Sequence, residues 1–321
     1  MKYFFFSFIF AFLLWLLLIS LSSQRPTINS QWVYDAYSKK ESISSQIKKR
    51  KIVIVAGSNA LFGIDSHLLS KTFHKPVLND GVNAGIGLPC ILYMAKKVIN
   101  DGDIVLLPLE YPMYSYNGEP GVQMIDFVLS REPNCFFQLT LKEQFYMLWH
   151  TTFKHILESF FHPSLHPVTN GLYGAHHIDA NGDQFDNTLQ NRSEALYNEV
   201  LVSAKNPQKY GKDFNTNALG WSYLEKFMVW AKKHHVKVIF MPSTLLWHPY
   251  YKKDPKEYYF YTHLAQEVKK RGWCFVGKPY EYMYPKEAYF NTNYHLIDSS
   301  RRKRTLQIIQ DIKTSNCKLF Q

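Results

Sequence analysis

The first residue that could do chemistry is a serine at the end of an apolar run. Lys51 to Val55 is followed by Ala56, Gly57, Ser58, Asn59, Ala60, Leu61, Phe62 and Gly63, the pattern of a buried strand, a tight turn and a helix start. At the carboxyl edge of a parallel sheet, loops converge and helix N-termini present free N–H groups. A Ser58 hydroxyl projecting there suits a nucleophile, and the N–H of the same residue suits an oxyanion donor. Plain capping of the next helix by Ser58 or Asn59 is the other reading of this segment. A second element, Asn83-Ala84-Gly85-Ile86-Gly87, follows the next short apolar run, and its glycines let the backbone turn N–H groups toward a ligand. A third, Phe290-Asn291-Thr292-Asn293-Tyr294-His295-Leu296, places a histidine late in the chain, where a loop above the first strand would bring it within reach of Ser58 as a general base.

Positioning these residues takes a sheet. Apolar runs at Lys51–Val55, Pro76–Leu78, Asp103–Leu109, Val236–Met241 and Trp273–Val276 alternate with helical patterns at Leu88–Ile99, Ala218–Lys233 and Tyr259–Arg271. That alternation predicts an α/β doubly wound parallel sheet. The stretch 112–215 interrupts it, with a helix expected over Leu141–Phe161, and reads as an inserted cap. Residues 23–50 read as a linker, and 51–321 as a single α/β domain.

Tyr3 to Leu21 is an uncharged apolar run, long enough as a helix to approach the roughly 30 Å of a bilayer core. Residues 1–22 therefore read as a membrane anchor, with a cleaved signal peptide and secretion as the alternative. Across the chain, 37 Lys and Arg against 26 Asp and Glu leave a net charge of +11, which favours anionic surfaces. An exported domain turns that preference toward lipid headgroups and acidic glycans and away from nucleic acid. Gly81, Gly85 and Gly87 lack dinucleotide spacing and no P-loop lysine follows, so no cofactor is expected. The histidines form no zinc-binding spacing, so no metal is expected either. Cys90, Cys135, Cys274 and Cys317 form no CxxC pair, and a disulfide framework is not expected.

Taken together, the AGSNALFG, NAGIG and NTNYHL segments resemble the SGNH, or GDSL-like, hydrolase superfamily, and within it membrane-anchored, envelope-facing members, some of which assist polysaccharide O-acetylation. The resemblance spans roughly 51–312 without the insertion. It implies a flavodoxin-like parallel sheet, Ser58 as nucleophile, His295 as base, and an oxyanion hole from Ser58 and Gly85 or Gly87. Three positions depart from the family pattern. Gly57 stands where the family has Asp, and Glu110, beside Tyr111 at the end of the third strand, stands where it has an oxyanion Asn. Thr292 stands where it has the acid, flanked by Asn291 and Asn293. Asn83 or Asn59 would replace the oxyanion amide, Asn291 or Asn293 would orient His295, and Asp298 or Glu110 could supply its charge. Glu110 and Tyr111 are also candidate substrate contacts.

The expected function is an acyl-ester hydrolase or O-acyltransferase acting on envelope carbohydrate, held at a bacterial inner membrane with the domain in the periplasm. Its expected partners are the glycan or acyl ester, the membrane, and an integral-membrane acyl-donor protein. The alternative is a non-catalytic SGNH-like protein that binds or assembles envelope polysaccharide.

Overall fold

The computed structural model describes residues 2–317. In chain order the strands are β1 (Ile52–Ile54), β2 (Val77–Asn79), β3 (Ile104–Leu107), β4 (Lys237–Phe240), β5 (Leu245–Leu246), β6 (Cys274–Phe275), β7 (Met283–Tyr284), β8 (Tyr289–Asn291) and β9 (His295–Leu296). Five of them form a parallel sheet in the order β2-β1-β3-β4-β6. Each is a short, fully or nearly fully apolar run, as strands covered on both faces must be.

Alternation sends successive side chains to opposite faces. Val53, Val55, Leu78, Val105 and Leu107 pack on one side, against α2 (Ile28–Gln46), α5 (Gly87–Val98), α11 (Leu219–Lys233) and α13 (Pro255–Lys270). Ile52, Ile54, Val77, Ile104 and Leu106 pack on the other, against α3 (Ser58–Gly63), α4 (Ser66–Phe73) and α14 (Asp298–Thr314). The remaining helices are α1 (Lys2–Ser22), α6 (Val122–Asp126), α7 (Pro133–Phe136), α8 (Leu141–His150), α9 (Phe153–Phe161), α10 (Glu194–Lys205) and α12 (Tyr250–Lys253).

The two edges of the sheet differ in kind. At the amino edge Lys51 Nζ meets Asp103 Oδ2 at 2.8 Å, both side chains fully buried. The Asp103 carboxylate also accepts from Lys51 N at 2.9 Å and Asn100 N at 2.8 Å. At the carboxyl edge stand the Ser58 turn and the β8–β9 hairpin.

Three expectations are corrected. Residues 23–50 are not a linker, since α2 buries Val33, Ala36 and Tyr37 and its Lys40 Nζ donates to Asn79 O and Gly81 O. The helix expected over 141–161 is two helices, because Thr151 ends α8 in an extended conformation and Thr152 caps α9, accepting from His155 N. Disulfides are present after all, Cys90–Cys135 and Cys274–Cys317; the sulfurs meet only in the folded chain, which spacing does not reveal.

The insertion docks on the exposed edge of the sheet. Asn79 N on β2 donates to Asn181 O at 2.8 Å, and Asp183 accepts from Asn79 Nδ2, Ser66 N and Ser66 Oγ. An unpaired edge strand is thereby covered. Helix α1 holds an 18-residue segment, Phe5–Ser22, with mean hydropathy 2.5. Within that segment only Ile19 and Ser22 are buried. Among the described residues it is the one helix long and apolar enough to cross a membrane.

Candidate functional site

Ser58 opens α3, and Gly57 before it caps the helix without any side-chain bond. The cap comes from a distance. Glu110, at the end of β3 and 1% exposed, accepts from Gly57 N at 2.9 Å and from Asn59 N at 3.0 Å. A carboxylate at a helix N-terminus satisfies orphan donors and complements the dipole. The N–H groups on either side of Ser58 are thus spent, while Ser58 N and Oγ have no partner among the described hydrogen bonds. Asn59 does not cap the helix either. Its Nδ2 donates to Pro108 O at 2.8 Å, and Arg304 donates to its Oδ1 at 2.9 Å and its carbonyl at 2.8 Å.

Gly57 is required by space. A Cβ there would stand 2.5 Å from both Ala84 N and Glu110 Oε1. The turn after β2 therefore lies directly against the Ser58 turn. Within it Asn83 Oδ1 accepts from Gly85 N, and the Gly87 N–H is taken by Ala84 O. Neither glycine offers a free N–H, which departs from the oxyanion role expected of Gly85 or Gly87. The Asn83 amide NH2 and the Ala84 N–H, with no acceptor among the described hydrogen bonds, are the donors left in this turn.

His295 begins β9 and faces Asn291 across the β8–β9 hairpin. Its ring stacks on Phe62, centroids 4.2 Å apart and planes 11° apart, and Phe62 lies one helical turn after Ser58 on the same face of α3. Nucleophile and base candidates thus share one helix face; no hydrogen bond joins them among the described residues. The hairpin explains the spacing of the support. Thr292, three residues before His295, sits in the left-handed turn with φ +54°, so the residue opposite the imidazole is the fourth one back.

Asn291 Oδ1 lies 2.8 Å from His295 Nδ1. Asn291 Nδ2 donates to Tyr173 Oη at 2.9 Å and to Glu199 Oε2 at 3.1 Å. A carboxylate only accepts, so Glu199 fixes which end of the amide is nitrogen, and the amide oxygen must receive a proton from Nδ1. The imidazole is therefore the Nδ1–H tautomer, with an Nε2 lone pair that has no partner among the described residues. Burial holds His295 well below the ordinary histidine value, down to about 3. Desolvation disfavours the imidazolium, and no carboxylate touches the ring to offset it.

The other candidates lie elsewhere. Asn293 accepts from Leu246 N with its carbonyl and does not meet His295. Asp298 binds Ser299 N at the start of α14, and Glu110 is committed to α3, so neither supplies charge to the imidazole. Tyr111 is fully buried and donates to Ser243 O at 3.1 Å; with Glu110 sealed as well, neither offers a ligand contact. A cavity of about 500 Å³ lined by Pro112, Tyr116, Lys209, Tyr210 and Asp213 is not lined by Ser58 or His295. Among the described residues, no three His, Cys, Asp or Glu side chains converge on a metal position. Glu199, on α10 in the insertion, is the site residue that sequence reasoning missed; no local motif marks it, because its contact exists only once the insertion docks.

Compared with known proteins, the chain matches no family model, no curated protein and no solved structure.

Proposed function

We propose that the chain is a membrane-anchored SGNH-like acyl-ester hydrolase or O-acyltransferase acting on envelope carbohydrate, with Ser58 as nucleophile and His295 as base. The observation that carries the reading is the fixed imidazole tautomer. Asn291, held by Glu199, keeps the proton on Nδ1 and leaves Nε2 without a partner among the described residues, in a ring stacked on Phe62, one helical turn beyond Ser58. In the reaction Nε2 takes the proton from Ser58 Oγ as Oγ bonds to the acyl carbonyl carbon. Ser58 N–H, with Asn83 or Ala84 of the neighbouring turn, holds the oxyanion. Nε2–H then protonates the departing alkoxide. Water or a sugar hydroxyl, deprotonated by Nε2, releases the acyl group from Ser58. The anchor reading of α1 and the two disulfides fit an exported domain, since disulfides persist in oxidising compartments.

A second reading rests on the same imidazole. With an amide in place of a carboxylate, charge on the ring is poorly compensated, and loss of the triad carboxylate costs a protease about 10⁴-fold. A polysaccharide-binding descendant would keep the fold and lose turnover. Labelling of the full chain in detergent with a fluorophosphonate, alongside Ser58→Ala and His295→Ala, decides between them. The catalytic reading requires labelling that disappears in both variants. An unlabelled parent that retains glycan binding supports the second reading.

A further inference from the structure

Helices α8 and α9 follow one another across Thr151 and Thr152, and each exposes apolar side chains. Leu141, Phe145 and Trp149 recur at intervals of four on α8 and are 83%, 58% and 61% exposed. Phe153, Leu157 and Phe161 recur in the same way on α9 and are 59%, 40% and 72% exposed. Residues four apart share a helix face, so each helix carries one outward stripe while Met147, Ile156 and Ser159 face the protein. An apolar surface of this extent on a monomer marks an interaction site.

What covers it follows from its neighbour. Helix α1 packs along α9, Trp15 Nε1 donates to Leu148 O at 3.2 Å, and Arg25 stands over the Phe160 ring at 4.8 Å. Trp15 precedes the end of α1 at Ser22 by seven residues, or roughly 10 Å along the axis. A 21-residue helix is about 31 Å long and matches the hydrocarbon core of a bilayer. With α1 spanning the membrane, Leu148 lies about 10 Å inside the leaflet next to the domain, the depth at which interfacial amphipathic helices bury their apolar face. Arg25, just past the end of α1, falls at headgroup level.

We propose that the consecutive helices α8 and α9 are a second, monotopic membrane element that lays their Phe, Trp and Leu stripes into the acyl region of the leaflet on the domain side of α1. The bilayer continues from the anchor onto the stripe without a step. Lys142 on α8 and Lys154 on α9 are exposed, the latter 3.7 Å from Glu158, and meet lipid phosphates, as the cationic side chains of such helices do. The membrane then holds the domain in one orientation rather than on a flexible tether.

The four native cysteines are paired, so a fifth can be labelled alone. An environment-sensitive dye on Phe145→Cys, Phe161→Cys, Leu13→Cys on the anchor, or Val229→Cys on α11 would be read in the full chain. The host is phosphatidylcholine–phosphatidylglycerol vesicles with brominated or ordinary acyl chains. Each labelled variant is first checked for the parent's unfolding temperature. The expected result is several-fold quenching by brominated chains at 145, 161 and 13 with none at 229, and aqueous iodide quenching only at 229. Quenching at 13 but iodide access at 145 and 161 overturns the proposal while leaving the anchor intact. Dyes at 145 and 161 shielded from both quenchers also overturn it, in favour of a protein on the stripe. Iodide access at 13 as well removes the spanning helix on which the depth rests and overturns it too.

Discussion

At the amino edge of the sheet Lys51 and Asp103 meet directly, 2.8 Å apart and sealed from water, whereas at the carboxyl edge the charge of Glu199 reaches His295 only through the Asn291 amide. Both edges bury polar groups in the same fold. The direct pair neutralises itself and leaves nothing over, which suits a joint between β1 and β3. The relayed contact sets the imidazole's tautomer without saturating its second nitrogen, which suits chemistry. The amino edge carries a self-satisfied joint and the carboxyl edge an imidazole with a lone pair to spare, so substitutions at the two edges should separate stability from activity.

The largest expected effect is on activity alone. Ser58→Ala should lower fluorophosphonate labelling and ester cleavage at least 10³-fold, while thermal unfolding stays near the parent's, because the Ser58 side chain makes no hydrogen bond among the described residues. Equal turnover would remove covalent catalysis by this residue. At the opposite edge, Asp103→Ala leaves Lys51 buried without a partner and should cost roughly 3–5 kcal/mol in chemical denaturation, part of it recovered by the paired change Lys51→Met with Asp103→Asn, whose amide oxygen can still accept from a backbone N–H. A loss below about 1 kcal/mol would show that the direct pair is not a structural joint.

A third test uses pH. The folded His295 is held at about 3 against an ordinary 6.5, so the unfolded chain takes up the proton first. Stability from this group is complete above pH 6.5 and is lost as pH falls toward 3, on the order of 3 kcal/mol by pH 4. Unfolding of the parent and of His295→Gln, measured from pH 7 to pH 4, should converge by that amount. Parallel curves would contradict a buried neutral imidazole. The smallest effect belongs to Glu199→Gln, which should slow turnover roughly tenfold, about one charge-assisted hydrogen bond at the low end of its range. Stability should hardly change, since Glu199 is exposed.

The sequence reveals the sheet because parallel strands covered on both faces are unbroken apolar runs, and those around Val53, Val105 and Ile239 needed no partner to be recognised. Helix α2 escaped for the opposite reason. Its buried positions include Lys40 and Ser44, and a lysine whose ammonium is satisfied by Asn79 O and Gly81 O reads as surface in a linear pattern. The positions of the candidates Ser58, Asn291 and His295 at strand ends are legible because strand ends are written locally. Glu199 lies 92 positions from Asn291, and the pairing of Cys90 with Cys135 depends on how α7 docks on α5. Such contacts belong to the folded insertion and have no local signature.

The packing around Gly57 carries a consequence for how this site can vary. A side chain at position 57 would occupy the space now filled by the Glu110 carboxylate and by Ala84, so an acid before the serine and an acid after β3 exclude one another. Gly57→Asp should therefore be poorly tolerated and Glu110→Asn should fray α3, and the double change would still leave a Cβ 2.5 Å from Ala84 N. The constraint thus couples three positions far apart in sequence. An acid can stand before the serine only where the turn carrying Ala84 has also moved away.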